Sequence, residues 1–377
     1  MKHQPLGVCC GIIAWNASLL FTIWKSFPAL ATGNVMIIKP SEKSPLAVTV
    51  LAQLFRQAGF PPGVFQVVLG AGDVGGMLSL HMGINKISFT GSTAVGRKIQ
   101  EASSRSNLKR VTLELGGKSP AIVFANANIQ QALMWVTAGI TVNTGQVCAA
   151  TSRLFVEESI ADEFIAQLKG IFEGIGQNLG ADPQDPKTQY GPLVDQIQYD
   201  KVWNSIEEGK KVTKPLVGGE EYTKGGNYIA PTIFVEPDTS SKIYNEEIFG
   251  PVLCVQKFKT EEEVIEQAND TQYGLNGELP LFITPRTCEW LTLLAAIFTR
   301  DIAQALRVSD KIESGTVGIN CNLILGPQVP MGGFKYVATE HRIFEYANHH
   351  YRQSGSGREL GEYGLKQFTE TKSIWIR

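Results

Sequence analysis

The feature that most constrains the fold is a repeated alternation of short β-rich apolar runs with stretches whose apolar residues recur at helical spacing. Residues 35–38 form one such run, Lys39-Pro40-Ser41-Glu42 ends it, and Ser44-Pro45 read as the N-cap and first residue of a helix. Ala47, Val48, Leu51, Leu54, Phe55 and Ala58 repeat on one helical face until Gly59, Pro61 and Pro62 stop it, and 65–69 returns as a strand. The rhythm continues with strands at 84–89 and 110–115 around a helix at 93–102. It restarts after Gly117 with strands at 121–124 and 154–156 and helices at 129–140 and 164–175. Such an order predicts an α/β fold, a parallel sheet covered by helices, with a domain change near Gly116 and Gly117. Ligands in these sheets bind beyond the carboxyl ends of the strands, where Lys39 and Gly91 fall. The stretch 176–192, rich in Gly, Asp and Pro, reads as a loop.

At 377 residues the chain has room for two domains of ordinary size. A formal charge of -2 offers no broad attraction for nucleic acid or anionic lipid, which points to a small-molecule ligand. The cysteines (Cys9, Cys10, Cys148, Cys254, Cys288, Cys321) have neither the spacing of a disulfide framework nor a CxxC pair for zinc. No metal is expected, and a reducing compartment fits. The histidines His3, His81, His341, His349 and His350 fall in no motif, so a Cys-His dyad is not proposed. Met1-Lys2-His3-Gln4-Pro5 lacks an apolar signal core, and the run at 8–20 is too short and polar to span a bilayer. The expectation is a cytoplasmic protein with no membrane or nucleic-acid partner; because the pattern begins mid-fold, a targeting peptide upstream stays open.

Some residues stand out chemically. Cys148 follows a helix and the Gly145 turn, where a thiolate reaches a cleft; a buried small hydrophobe is the commoner fate of a lone cysteine. Glu114 interrupts an apolar strand just before Gly116-Gly117-Lys118. It is either salt-bridged to a lysine such as Lys118 or a base whose pKa burial raises. Gly91-Ser92-Thr93-Ala94-Val95-Gly96 opens a helix after a strand and suits a phosphate, whereas Gly70-Ala71-Gly72 reads as a tight turn. Glu42, at a strand end, suits ribose hydroxyls and so favours NAD over its phosphorylated form, against the plainer reading of a solvated acid.

In this order and approximate spacing the pieces resemble the aldehyde dehydrogenase superfamily. Trp15-Asn16 resembles its oxyanion-site segment, Lys39-Pro40-Ser41-Glu42 its adenosine-ribose segment, and Phe89-Thr90-Gly91-Ser92 its pyrophosphate turn. Glu114-Leu115-Gly116-Gly117-Lys118-Ser119-Pro120 is similar to the general-base motif and Gly145-Gln146-Val147-Cys148 to the nucleophile motif. Glu246-Glu247-Ile248-Phe249-Gly250-Pro251 is similar to the segment that steadies the nicotinamide ribose. The resemblance implies Cys148, Glu114 and Asn16 as catalytic residues. It implies a cofactor site of Ile13, Trp15, Lys39, Ser41, Glu42, Gly72, Phe89, Gly91, Ser92, Val95, Gly96, Leu115, Glu247 and Phe249. The cofactor would be NAD, with NADP the alternative, the substrate an aldehyde oxidised to its acid, and the assembly a homo-oligomer.

The implied organisation is a Rossmann-like cofactor domain at 1–117, an α/β catalytic domain at 118–335 and a C-terminal segment with an oligomerisation tail at 353–377. Relatives carry a long segment before the stretch matching Gln4 onward; without it the cofactor sheet is expected to show an unpaired edge and an exposed apolar face. Ala17-Ser18 also stand where the family has an aromatic and a proline. Two stretches interrupt the likeness, 277–294 and 336–352, and deleting either restores a smooth junction. They read as translated introns or as surface-loop insertions. A catalytically silent fragment and a thioesterase-like hydrolase using Cys148 and Glu114 are the rival functions.

Overall fold

The computed structural model describes residues 1–273, 295–322, 326–333 and 353–375. The interruptions expected at 277–294 and 336–352 lie outside the described residues.

The chain opens with β1 (Lys2–Pro5), β2 (Val8–Ile12), α1 (Ser18–Ala31), β3 (Val35–Lys39), α2 (Leu46–Gln57) and β4 (Phe65–Val67). It continues with α3 (Gly72–Leu80), β5 (Lys86–Thr90), α4 (Thr93–Ser104), β6 (Arg110–Glu114), β7 (Ser119–Val123), α5 (Ile129–Thr141), β8 (Thr151–Glu157) and α6 (Glu158–Gly176). Then come α7 (Gln196–Lys210), β9 (Thr232–Val235), α8 (Lys242–Asn245), β10 (Val252–Phe258), α9 (Glu261–Asn269), β11 (Ala295–Phe298), α10 (Ile302–Ser309) and β12 (Val317–Ile319). The last described elements are β13 (Gly355–Ser356), α11 (Gly361–Lys366) and β14 (Thr369–Lys372). The described residues divide into two compact units: 1–116 with 326–333 and 353–375, and 117–273 with 295–322.

In the first unit the sheet runs in the order β13-β6-β5-β2-β3-β4, parallel from β6 to β4, with β13 antiparallel against β6. A separate antiparallel ladder pairs β1 with β14. Cys10, Ile87, Phe89, Ile99 and Leu113 form the core between the sheet and α4. At the edge, β4 is only three residues long, and α2 beside it buries Val48 and Phe55 alone. Of the six-residue apolar face expected for α2, Val48 and Phe55 are buried and Leu51 is half-buried, while Ala47, Leu54 and Ala58 are exposed. At its start Pro45 has helical backbone angles, as expected of a first helical residue, whereas the Ser44 hydroxyl donates to the Trp15 carbonyl (2.9 Å) instead of capping.

The second unit is a parallel sheet in the order β12-β11-β7-β8-β10-β9. The strands are apolar nearly throughout because helices cover both faces: α5 and α6 bury Leu133, Phe164 and Leu168 on one side, and α9 and α10 bury Val264 and Val308 on the other. Among the described residues no helix is long and apolar enough to cross a membrane. A charged residue, Arg153, is built into this core. The fully buried Arg153 guanidinium donates to the carbonyls of Lys118 (3.1 Å), Gln267 (3.1 Å), Asp270 (3.3 Å) and Ala268 (2.8 Å). It lies against the rings of Phe155 and Tyr244, 5.6 and 5.5 Å from their centroids. Removing it strands several buried acceptors, each costing about 1–3 kcal/mol. Arg153→Met is therefore expected to lower unfolding free energy by on the order of 4 kcal/mol, read as a reduced midpoint in urea; an unchanged midpoint would contradict this packing role.

Candidate functional site

In the first unit, the parallel order brings the ends of β2, β3, β5 and β6 to one side of the sheet, and the sequence-predicted residues lie there. Ile13, Trp15 and Asn16 follow β2, Lys39 to Glu42 end β3, Phe89 to Ser92 end β5, and Glu114 and Leu115 end β6. The backbone N–H of Ile13 donates to the carbonyl of Lys39 (3.1 Å), and Lys43 lies 5.7 Å from the Trp15 ring centroid. Ser92 caps α4, its hydroxyl accepting from the Val95 N–H (3.4 Å). Gly96 lets α4 approach Leu115, since a Cβ there would stand 2.7 Å from Leu115 Cδ2. Gly72, expected in a turn, instead begins α3.

Lys39 is buried, and among the described residues its ammonium meets Glu42 Oε2 at 3.5 Å, while Glu42 is 55% exposed. That long contact leaves the ammonium undersatisfied for a buried cation. Ribose hydroxyls would complete it, and the α4 N-terminus behind Gly91 and Ser92 presents backbone N–H groups suited to a pyrophosphate. These residues fit a dinucleotide.

Glu114 is buried at the end of β6, and its Oε2 has no hydrogen-bond partner among the described residues. Burial raises its pKa well above the ordinary carboxylate range; Glu359 pushes it further up, against the opposing charges of Lys25 and Arg358. Sequence reading missed these neighbours. Lys25, in α1, is fully buried and ion-paired with Glu359, whose Oε1 also accepts from the Ser88 hydroxyl (3.3 Å). A charged residue inside the apolar run of α1 was the one available signal. The anticipated Lys118 salt bridge is replaced, for that lysine, by bonds to the carbonyls of Ile243 (2.7 Å) and Glu246 (2.8 Å).

In the second unit the predicted residues lie at the opposite ends of their strands. Cys148 precedes β8, and Glu247 and Phe249 precede β10. A pocket is lined by Gly117, Gly145, Val147, Glu247, Phe249 and Gly250, so the neighbour of Cys148 and both nicotinamide-ribose candidates share one cavity. Cys148 itself is half-buried at the edge of the α5–α6 core. The approach to it is strained: Asn143 (φ 50), Thr144 (φ 55) and Gly145 (φ 71) are consecutive residues with left-handed φ. Each non-glycine residue there costs about 1–2 kcal/mol, a cost the surroundings must offset. The offsetting contacts are the Thr144 hydroxyl donating to Gly191 O (2.8 Å), Gln146 Nε2 donating to Asn143 O (2.9 Å), and the Val194 N–H donating to Gln146 Oε1 (2.9 Å). A Cβ at Gly145 would stand 2.3 Å from the Gly250 carbonyl oxygen. Gly145→Ala should therefore cost roughly 3 kcal/mol or more and slow thiol alkylation at Cys148 as the turn shifts. An alkylation rate equal to the parent's would refute the tie between turn and thiol.

The Glu247 carboxylate accepts from the Gly117 N–H (3.1 Å). Burial lifts its pKa to about 7, against the lowering by that hydrogen bond and by Lys201 and Lys118.

The sequence profile of the aldehyde dehydrogenase family matches residues 1–280 and 290–374. The chain belongs to the aldehyde dehydrogenase family. It is 44% identical to aldehyde dehydrogenase 1A1 of Oryctolagus cuniculus, with 100% of this chain and 68% of that protein covered. With retinaldehyde dehydrogenase 3 of Homo sapiens it shares 45% identity, covering 100% and 66%. Among solved structures, the aldehyde dehydrogenase KauB from Pseudomonas aeruginosa superposes with a TM-score of 0.87 at 39% identity, over 100% of this chain and 69% of that one. The NAD+ complex of aldehyde dehydrogenase from Bacillus cereus gives 0.87 at 37%, over 100% and 69%. The chain thus spans about two thirds of the length of these relatives, and the α/β fold with parallel sheets is the family's.

Proposed function

We propose that this chain oxidises an aldehyde to a carboxylic acid with NAD through a covalent intermediate on Cys148. The observation that carries the reading is Cys148 itself, half-buried beyond a strained, cross-braced turn in a chain of this family. NAD is supported by the aldehyde dehydrogenases of like fold whose structures contain it, and by the undersatisfied Lys39 ammonium beside Glu42.

The Cys148 thiolate adds to the carbonyl carbon, and Asn16 donates to the oxyanion that forms. NAD, when bound, supplies the two-electron oxidant that takes the aldehyde hydrogen as hydride. Loss of that hydride restores the C=O bond and leaves a thioester on Cys148. Glu114 then takes a proton from water; the hydroxide adds to the thioester, the thiolate leaves, and the acid is released. Lys39, Ser41 and Glu42 would hold the adenosine ribose, and Gly91, Ser92, Val95 and Gly96 the pyrophosphate. Ile13, Trp15, Gly72, Phe89 and Leu115 would wall the cofactor, and Glu247 with Phe249 would hold the nicotinamide ribose. The same reading puts the protein in a reducing compartment such as the cytoplasm, where the Cys148 thiol stays reduced, and takes the assembly to be a homo-oligomer.

The test is reduction of NAD by the purified chain on addition of a simple aldehyde, with one acid formed per NADH. Hydrolysis of an activated ester in the absence of NAD would instead favour a thioesterase-like hydrolase. The exposed apolar residues of α2 favour one rival, a chain that keeps the motifs without completing the cofactor site. Calorimetric titration with NAD separates the two: absence of binding removes the dehydrogenase reading for this chain.

A further inference from the structure

The second unit holds a buried cation that the proposed mechanism does not use. Lys118 is 2% exposed, and its ammonium donates to the carbonyls of Ile243, within α8, and Glu246, one residue before Glu247. Its own carbonyl accepts from Arg153, and the preceding residue, Gly117, donates its N–H to Glu247 Oε1 (3.1 Å). Residues 117–118 therefore grip the segment 243–247 at three points, two on backbone and one on the carboxylate. Beyond Glu247 the chain passes through Phe249 with a left-handed φ of 61°, its carbonyl held by Gln198 Nε2 (2.8 Å). A non-glycine residue keeps such an angle only when its flanks are fixed. Gln198 fixes one flank, and the Lys118 grip fixes the other.

We propose that Lys118 is a positioning residue for the cofactor: its buried ammonium pins the carbonyls of Ile243 and Glu246 and thereby sets the Glu247 carboxylate, through the Gly117 amide, for the ribose hydroxyls of the nicotinamide half. This rests on the reading of Glu247 as a cofactor ligand. Among the described residues, the titratable groups facing Glu247 are Lys118 and Lys201, with Tyr273 beside them; those facing Lys118 are Arg153, Cys254, Glu246 and Glu247. Only the ionised carboxylate accepts strongly from ribose hydroxyls, so NAD affinity should fall as pH drops through about 7. Removing the Lys118 charge removes a factor that lowers the Glu247 pKa, so the midpoint should move upward.

The experiment is a double-mutant cycle on the full chain, with NAD dissociation constants measured calorimetrically across that pH range for the parent, K118M, E247Q and the double variant. Lys118→Met should weaken NAD about tenfold, equivalent to 1.4 kcal/mol, and shift the midpoint up. Glu247→Gln should abolish the pH dependence, and the double variant should bind as E247Q does. If Lys118→Met multiplies the loss equally in the E247Q background, or leaves the midpoint in place, the positioning role is overturned while the reading of Glu247 stands. If Glu247→Gln changes neither affinity nor profile, the reading of Glu247 falls and this proposal with it. Should K118M not fold, hydrogen exchange on the parent decides: NAD should protect peptides spanning 114–119 and 243–249 together, and protection of one without the other overturns the coupling.

Discussion

Cys148→Ser is expected to lose dehydrogenase turnover by on the order of 10⁴-fold or more while NAD affinity stays within about twofold of the parent. A hydroxyl at neutral pH is a far weaker nucleophile than a thiolate, and no strained turn restores the difference. The substitution is nearly isosteric, so the Asn143–Gly145 turn and its contacts to Gly191 and Val194 should survive. Circular dichroism and an unchanged melting temperature would show that they do. Steady-state rates with a simple aldehyde provide the measurement, and turnover within tenfold of the parent would end the proposal that Cys148 carries the covalent intermediate.

Glu114→Gln should act later in the cycle. Attack and hydride loss do not need the carboxylate, so one equivalent of NADH should appear in a burst, followed by a steady rate slower by about 10²–10⁴-fold, the usual worth of a general base. Mass spectrometry should find the acyl group on residue 148. The pH dependence follows from the direction of the shift. Burial and Glu359 raise the Glu114 pKa, so the protonated, inactive form persists above the ordinary carboxylate range. Hydrolysis should therefore climb as pH rises through that raised pKa and then level. In the Gln variant the climb should vanish. A burst lost along with the steady rate would move Glu114 to an earlier step, and a profile unaltered by the substitution would remove it as the base.

How much of this was legible beforehand depends on range. The strand at 35–38 was readable because its β-rich run and the Pro and Gly that punctuate its surroundings are local signals, and β3 (Val35–Lys39) follows them. The candidates Lys39 and Gly91 were readable because ligands of a parallel sheet bind where strands end, and Glu114 because an acid interrupts an apolar strand. The candidates of the second unit, Cys148, Glu247 and Phe249, precede their strands, so that rule does not point to them; Cys148 stood out as a lone cysteine after a glycine turn, and Glu247 and Phe249 through likeness to a known family. The apolar pattern of α2 predicted the helix that forms, while periodicity states which face can be buried but not whether a neighbour covers it.

The sequence by itself determined the alternation, the class of fold, the nucleophile and base candidates and the family they belong to. Tertiary structure alone decided the environments that give those side chains their chemistry. Lys25 and Glu359, which surround the Glu114 carboxylate with charge, pair across 334 residues, and the Gly117 amide meets the Glu247 carboxylate across 130. Burial and charge act through distances in space, and such distances are fixed only once the strands have taken their order in the sheet.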